Sequence, residues 1–398
     1  MGGIMVVLGT RPEAIKLIPV IAALRRRGVP TRICATAQHR ELLDQVLISE
    51  RLTPDIDLDL MRPGQTLADL TATLIRGLGQ TFASERPDRV VVQGDTATAF
   101  AAAHAAFLCH IPVAHVEAGL RTGDLANPHP EEGYRAMIAR IADLHFAPTA
   151  RAAENLLGEG ICRTAIHITG NPVADALHAV LGKLEHHAGC LGPVRPLLKR
   201  EAGKHLIVVT CHRRENHNRL DGIIEAVRRL AARPDVLIAL PLHPHPDVRK
   251  RVERQLQHVR NVALLPALDF LPFVGLLSAA RLVLTDSGGV QEEAPMLGVP
   301  VLVLREATER PEGLEAGTAI LVGTDPGRIV TEATRLLDHP LAHARMARRH
   351  NPYGDARCGE RIAAILAESL GRARLPQRTS AQKRLSKGPD FGANIRAL

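Results

Sequence analysis

Apolar runs of strand length alternate with helical stretches from the first residues onward. Ile4 to Leu8 is one such run, Pro12 to Arg27 follows as a helix with proline near its start, and Thr31 to Ala35 returns to the strand pattern. Helix Thr66 to Glu85, strand Arg89 to Gln93, helix Thr96 to Leu108 and strand Pro112 to Val116 continue the series. Strands that are apolar on both faces and separated by helices predict parallel sheets covered on both sides. The pattern lapses around Gly182 to Gly203, and His205 to Thr210 opens a second series. The exchange between the two is expected near Gly170 to Pro172, giving a first domain of residues 1–170 and a second of 171–352. Asn351-Pro352-Tyr353-Gly354 then breaks the chain before a last helix, Arg361 to Leu370. Residues 375–398 mix polar, basic and small side chains without periodicity, the composition of a disordered basic tail.

The two series echo each other. In the first, a strand leads through Gly94-Asp95 into a helix, and the next strand ends at Glu117-Ala118-Gly119. In the second, a strand leads through Asp286-Ser287-Gly288 into a helix, and the next strand ends near Glu306. Polar groups thus collect beyond the carboxyl ends of the strands, where open α/β sheets bind ligands. The expected class is α/β, two Rossmann-like domains facing a cleft.

Composition narrows the partners. A net charge of +8 raises the question of nucleic acid, but the basic residues are spread over many helices. With no Trp, two Tyr and seven Phe, little surface is left for stacking on bases. A polyanionic small molecule is the expected partner, not nucleic acid. Six cysteines without a CxxC pair argue against a zinc site or a disulfide framework and fit reduced thiols in a cytoplasm. The five apolar residues Ile4 to Leu8 make a strand, not a signal sequence, and no run approaches the ~18 apolar residues of a membrane helix.

The most informative stretch is Arg281 to Gly313. A buried strand runs into Asp286-Ser287-Gly288-Gly289, and a helix from Val290 to Leu297 would aim its free N–H groups at that turn, as at many phosphate sites. Glu292 and Glu293 sit one turn on, where a carboxylate can accept from a ribose diol. After the strand Val299 to Leu304 come Arg305, Glu306, Glu309, Arg310 and Glu312, more charges than packing requires.

In the first half, Gly9-Thr10-Arg11-Pro12-Glu13 and Lys16 place two cations at the mouth of the cleft. Asp95 either caps its helix or faces a ligand. Glu117 ends a buried strand, a costly place for a carboxylate that is neither paired nor used. Glu131 and Glu132 open a helix. In the second half, Cys211-His212-Arg213-Arg214 follows a strand and suits a diphosphate grip, with His212 able to carry a proton. His243 and His245 lack a third ligand, so no metal site is expected. Several carboxylates, one histidine and a diphosphate site suit proton transfer on a sugar carbon.

Taken in order, GTRPEAIK from Gly9, QGDT from Gln93, HVEAGLRTGD from His115, PEE from Pro130, HRREN from His212, TDSGGVQEEAP from Thr285, TERPEG from Thr308 and NPYGD from Asn351 resemble the bacterial non-hydrolysing UDP-N-acetylglucosamine 2-epimerases. The resemblance spans residues 4–371. It implies a glycosyltransferase-B fold with residues 353–372 completing the first domain, a homodimer, and no NAD or metal cofactor. It implies epimerisation at C2 of UDP-GlcNAc to UDP-ManNAc by anti elimination of UDP to 2-acetamidoglucal and re-addition, supplying ManNAc units for surface polysaccharide. Among the catalytic residues it implies, Asp95, Glu117 and Glu131 match the carboxylates of the acid and base work, without a role being fixed for each, and His212 matches the histidine near the diphosphate. Arg11, Lys16, Arg135, Phe273, Ser287, Gly288, Gly289, Glu293 and Arg310 would bind UDP and sugar. Many relatives hold a second, allosteric UDP-GlcNAc; Gln38, His39, Arg213 and His243 match that site, whereas Glu41 and Gly64 replace a Gln and an Arg of some relatives. Ala356 stands where glycine is frequent and His245 where asparagine is frequent.

One rival stays within the class: a 2-epimerase of UDP-2,3-diacetamido-glucuronic acid would need a further cation, for which Arg121 or Arg213 is available. A hydrolysing relative would release ManNAc and UDP. A glycosyltransferase of the same fold needs an acceptor groove and one base instead of three carboxylates, and a non-catalytic sensor would not need Asp95, Glu117, Glu131 and His212.

Overall fold

The computed structural model describes residues 2–62, 64–186, 191–200, 203–211, 216, 219–242, 246–347 and 353–370. Two parallel sheets form. The first contains β1 (Ile4–Leu8), β2 (Thr31–Ala35), β3 (Ile56–Asp57), β4 (Arg89–Gln93), β5 (Val113–Val116), β6 (Leu144–Ala147) and β7 (Ile166–Ile168), in the order β3-β2-β1-β4-β5-β6-β7. The second contains β8 (His205–Thr210), β9 (Val236–Pro241), β10 (Val262–Leu265), β11 (Leu282–Thr285), β12 (Val301–Val303) and β13 (Ala319–Leu321), in the order β10-β9-β8-β11-β12-β13.

Order reverses between β1 and β4 in the first sheet and between β8 and β11 in the second. At such a switch point the connecting helices leave to opposite faces and open a crevice beyond the strand ends. The central strands are wholly buried, so they read as unbroken apolar runs with no alternation.

Two helix starts differ from the sequence expectation. The helix after β11 is Gly288–Met296, so both glycines lie in its first turn instead of ahead of it. Gly288 is needed there because an added Cβ would run into the guanidinium of Arg310, which packs against the helix start. The last helix is Cys358–Leu370, a turn earlier than expected. Its first N–H groups are capped from afar: Asp175 accepts from Cys358 N at 3.1 Å and from Gly359 N at 2.9 Å. A cap supplied by another helix leaves no local signal.

That last helix buries Ile362, Ala363 and Leu366 in one core with Leu17 and Ile21 of helix Arg11–Arg26. The chain therefore returns to the first sheet after building the second. Ahead of it, Ala356 is held at φ 59. A left-handed backbone costs a residue with a Cβ on the order of 1 kcal/mol, which glycine does not incur. Ala356→Gly is expected to raise Tm by roughly 1–3 °C in a thermal unfolding scan, and a lower Tm would contradict this account. The tail at 375–398 lies outside the described residues.

Candidate active site

A cavity of about 450 Å³ lies between the carboxyl ends of the two sheets, within the size range of small-molecule sites. From the first sheet it takes Arg11, Lys16, His39, Gln93, Asp95, Glu117 and Arg135; from the second, Phe273, Ser287, Gly288, Gly289, Glu293, Glu309 and Arg310.

Helix Ala97–Leu108 is capped by Thr96, whose side chain accepts from Ala99 N at 2.9 Å. Asp95 is therefore not its cap. Instead Asp95 Oδ2 accepts from Arg135 Nε at 2.9 Å, and the other end of that guanidinium donates to Glu132 at 2.6 Å. Glu132 also accepts from the N–H groups of Thr122 and Gly123, both at 3.0 Å, and so holds the loop after β5. Of the acidic pair that opens helix Glu131–Ile141, Glu132 turns inward; Glu131 is half-exposed and does not line the cavity. Successive helical residues point about 100° apart, so the two cannot share one face.

Glu117 is held on both carboxylate oxygens. Its backbone sits at φ 64, a rare and costly conformation for a residue with a side chain, of the kind that clusters at functional sites. One carboxylate oxygen accepts from Lys16 Nζ at 2.5 Å and from Gln93 Nε2; the other accepts from Arg310 at 3.1 Å. Arg310 also pairs with Glu292 and Glu309, and Glu309 with Arg305 at 2.8 Å. All of these groups are buried. Burial alone would lower the Lys16 pKa, but the fields of Glu117 and Glu292 outweigh it and raise it. Burial likewise works against the Arg310 charge, and Glu292, Glu309 and Glu117 together hold it on. Ions this deep require such pairing.

Around the phosphate-type turn, Ser287 makes no side-chain cap to its helix, and Ser287, Gly288 and Gly289 at the helix start all line the cavity. Arg11 donates to the backbone oxygen of Leu268 at 2.9 Å, and Arg11, Leu268 and Phe273 all line the cavity. Glu292 and Glu293, adjacent in sequence, separate in function: Glu292 is turned into the Arg310 network, and Glu293 lines the cavity.

Burial, then Glu292, pushes the Glu293 carboxyl up to about 7 from an ordinary 4.5. Folded protein then keeps a proton that the unfolded chain has lost, so this group makes stability fall as pH rises from about 4.5 to about 7 and level off above. Glu293→Gln is expected to show a smaller drop in Tm than the wild type between about pH 5 and pH 8. Equal drops in the two proteins would contradict it.

Gln38 accepts from Thr98 N and Thr98 Oγ1 at 3.1 and 2.9 Å and does not line the cavity, whereas His39 does. His212, Arg213 and His243 lie outside the described residues. Arg121 is committed to Glu159 through bonds of 2.6 and 2.9 Å and is absent from the cavity wall, so it offers no free cation to a carboxylated sugar. Among the described residues, no cluster of three or more His, Cys, Asp or Glu is arranged to hold a metal.

Sequence reasoning missed Gln93, Glu132, Glu292 and Glu309 as partners of the candidate residues, and Glu13 behind them. Glu13 is fully buried, accepting from Gly9 N at 3.0 Å, Thr10 Oγ1 at 2.8 Å and Thr96 Oγ1 at 2.6 Å. It ties the turns after β1 and β4 together. The crowd of charges after β12 was the available signal for Glu309.

The sequence profile of a family described as UDP-N-acetylglucosamine 2-epimerase matches residues 22–367. The chain is 47% identical over 369 residues, 91% of its own length and 98% of the relative's, to the UDP-N-acetylglucosamine 2-epimerase of Salmonella typhimurium. The crystal structure of UDP-GlcNAc 2-epimerase from Neisseria meningitidis bound to UDP-GlcNAc superposes with a TM-score of 0.89 at 42% identity, covering 92% of this chain and 99% of that one. The Methanocaldococcus jannaschii enzyme in complex with UDP-GlcNAc and UDP gives 0.83 at 34% identity, covering 92% and 99%.

Proposed function

The chain belongs to the UDP-N-acetylglucosamine 2-epimerase family, and on that premise we propose that it interconverts UDP-GlcNAc and UDP-ManNAc through 2-acetamidoglucal. As an epimerase it is an isomerase. The C2 hydrogen of the sugar is not next to a carbonyl, so simple removal and return of that proton is too difficult. In the proposed route a base takes the C2 proton, the C1–O bond to the β-phosphate breaks, and the C1=C2 double bond forms with UDP as leaving group. UDP oxygen then re-adds to C1 while a proton reaches C2 from the opposite face.

The observation that carries this reading is Glu117, strained at a strand end and facing the same cavity as the phosphate-type helix start at Ser287 and Gly288. Asp95 faces that cavity too, held by Arg135. Two carboxylates in different settings suit separate acid and base duties. The diphosphate is assigned to Ser287, Gly288, Gly289 and Arg11, the ribose to Glu293, and the uracil to the wall of Phe273. Lys16, Arg135 and Arg310 line the sugar end. Glu131, which does not line the cavity, and His212, which lies outside the described residues, enter from the sequence reading.

The product would supply ManNAc units for surface polysaccharide, from a homodimer in the cytoplasm. Support for the dimer comes from Phe107 and Leu108 at the end of one helix and Met137 on the helix packed beside it, apolar side chains that are 57%, 59% and 43% exposed. Support for the compartment comes from the free thiols of Cys34, Cys109, Cys162, Cys211 and Cys358. Among the described residues no helix is long and apolar enough to cross a membrane.

The test is incubation of purified protein with UDP-GlcNAc alone, followed by anion-exchange separation. A stable mixture of UDP-GlcNAc and UDP-ManNAc is the expected result. Continued release of free ManNAc and UDP would instead mean a hydrolase, and unchanged substrate would overturn the assignment.

A further inference from the structure

We propose that Asn171 and Glu292 are positioning residues that tie the crossing point between the two sheets to the orientation of Glu117. The proposal rests on the reading of Glu117 as an acid or base of the epimerase reaction. Neither residue lines the cavity, so neither touches a ligand there.

The chain passes between the sheets twice, once after β7 and once ahead of helix Cys358–Leu370, and the two passages meet at Asn171. Its N–H donates to Tyr353 O at 2.5 Å. Beside it Gly170 sits at φ 85, and an added Cβ there would lie 2.8 Å from Tyr353 O, so the two strands of chain pack as closely as glycine allows. Asn171 is itself 0% exposed. Its Oδ1 accepts from Val173 N at 3.1 Å, which fixes the side chain at the start of helix Val173–His186.

The remaining end of that amide points into the site. Asn171 Nδ2 donates to Glu292 Oε2 at 2.7 Å, Glu292 Oε1 accepts from Arg310 Nε, and Arg310 donates on to Glu117 Oε1 at 3.1 Å. Three consecutive hydrogen bonds, all buried, therefore run from the crossing point to the carboxylate. Glu117 belongs to the first sheet and Glu292 and Arg310 to the second, so Arg310 reaches across the cleft. Any rotation of one sheet against the other about Asn171 must carry or break this line. Asn171 holds Glu292, Glu292 holds the guanidinium in one orientation, and the guanidinium holds Glu117 toward the cavity.

A fixed amide suits this task. It can give one hydrogen to Glu292 while its oxygen serves Val173, and it adds no charge beside a glutamate already packed near Glu117 and Glu293. The other charged groups facing this line are Lys16, Arg11 and Glu309, with the phenol of Tyr353, which burial keeps neutral, beside them.

The test is a substitution cycle. Asn171→Asp sets two carboxylates 2.7 Å apart, and Glu292→Gln removes the charge and one acceptor from Arg310. Each is expected to lower kcat ~10- to 100-fold, as misplacement of a reacting group by about 1 Å does, with KM for UDP-GlcNAc and the Kd of UDP changed less than about twofold. The double variant Asn171→Asp, Glu292→Gln remakes the bond between the two positions with donor and acceptor exchanged, and the oxygen of the new amide still accepts from Arg310 Nε. It is expected to recover kcat to within about threefold of wild type, a recovery that independent structural damage would not give. Single variants with wild-type kcat would overturn the proposal. So would a loss of kcat matched by equal weakening of UDP binding and not recovered in the pair. An inactive wild type would strike the functional reading and this proposal together, whereas an active wild type beside unaffected single variants strikes this proposal alone.

Discussion

Glu117→Gln is expected to lower kcat for UDP-GlcNAc by ~10²- to 10⁴-fold, the usual loss when an acid or base group is removed. The side chain keeps its shape, so the φ of 64 at this position is no harder to hold than before. The charge changes. Lys16 and Arg310 lose an anion they share, and the new amide must face donors from Lys16, Gln93 and Arg310 with one oxygen where the carboxylate had two. Gln93 and Arg310 can shift to the remaining acceptor, so folding is expected to survive while proton transfer does not. UDP binding, measured by calorimetry, is expected to stay within about threefold because the helix start at Gly288 is untouched. Turnover within about threefold of wild type would remove Glu117 from the chemistry.

The second large effect is on stability. Arg310→Met leaves Glu117, Glu292 and Glu309 close together without their common cation, all of them less than 6% exposed. Removing one partner of a buried ion pair costs roughly 3–5 kcal/mol, because the remaining charge stays desolvated and unpaired. A drop in Tm of several degrees is expected at neutral pH, shrinking as pH falls and Glu292, already raised by burial, takes up a proton. Arg310→Lys is expected to recover only part of the loss, since an ammonium cannot span three carboxylates as the planar guanidinium does. An Arg310→Met protein with wild-type Tm at neutral pH would show that the network contributes nothing to the fold.

The elements whose cause is local were legible in the sequence. β1, β2, β4 and β8 match their predicted limits because a strand buried on both faces is an apolar run with polar ends. The site was legible as far as residue type and strand end go: Asp95, Glu117, Ser287, Gly288, Glu293 and Arg310 do converge on one cavity. What was not legible depends on contacts far apart in the chain. Asp175 caps a helix 183 residues away, and Asn171 meets Glu292 across 121. Glu131 and Glu132 are equivalent by composition, and only the rotation of their helix turns Glu132 inward. The same holds for Glu292 and Glu293, where one serves the ion network and the other the cavity. Arg121 looked available to a substrate because nothing local announces Glu159 as its partner.

The central claim is that C2 is inverted by loss of its proton and delivery of another from the opposite face. It is tested most directly by a proton NMR time course of purified protein with UDP-GlcNAc in deuterated water, without added metal or acceptor. The account predicts that UDP-ManNAc appears with deuterium at C2 and that the returning UDP-GlcNAc pool gains deuterium at the same carbon. UDP-ManNAc that keeps the original hydrogen at C2 would contradict it.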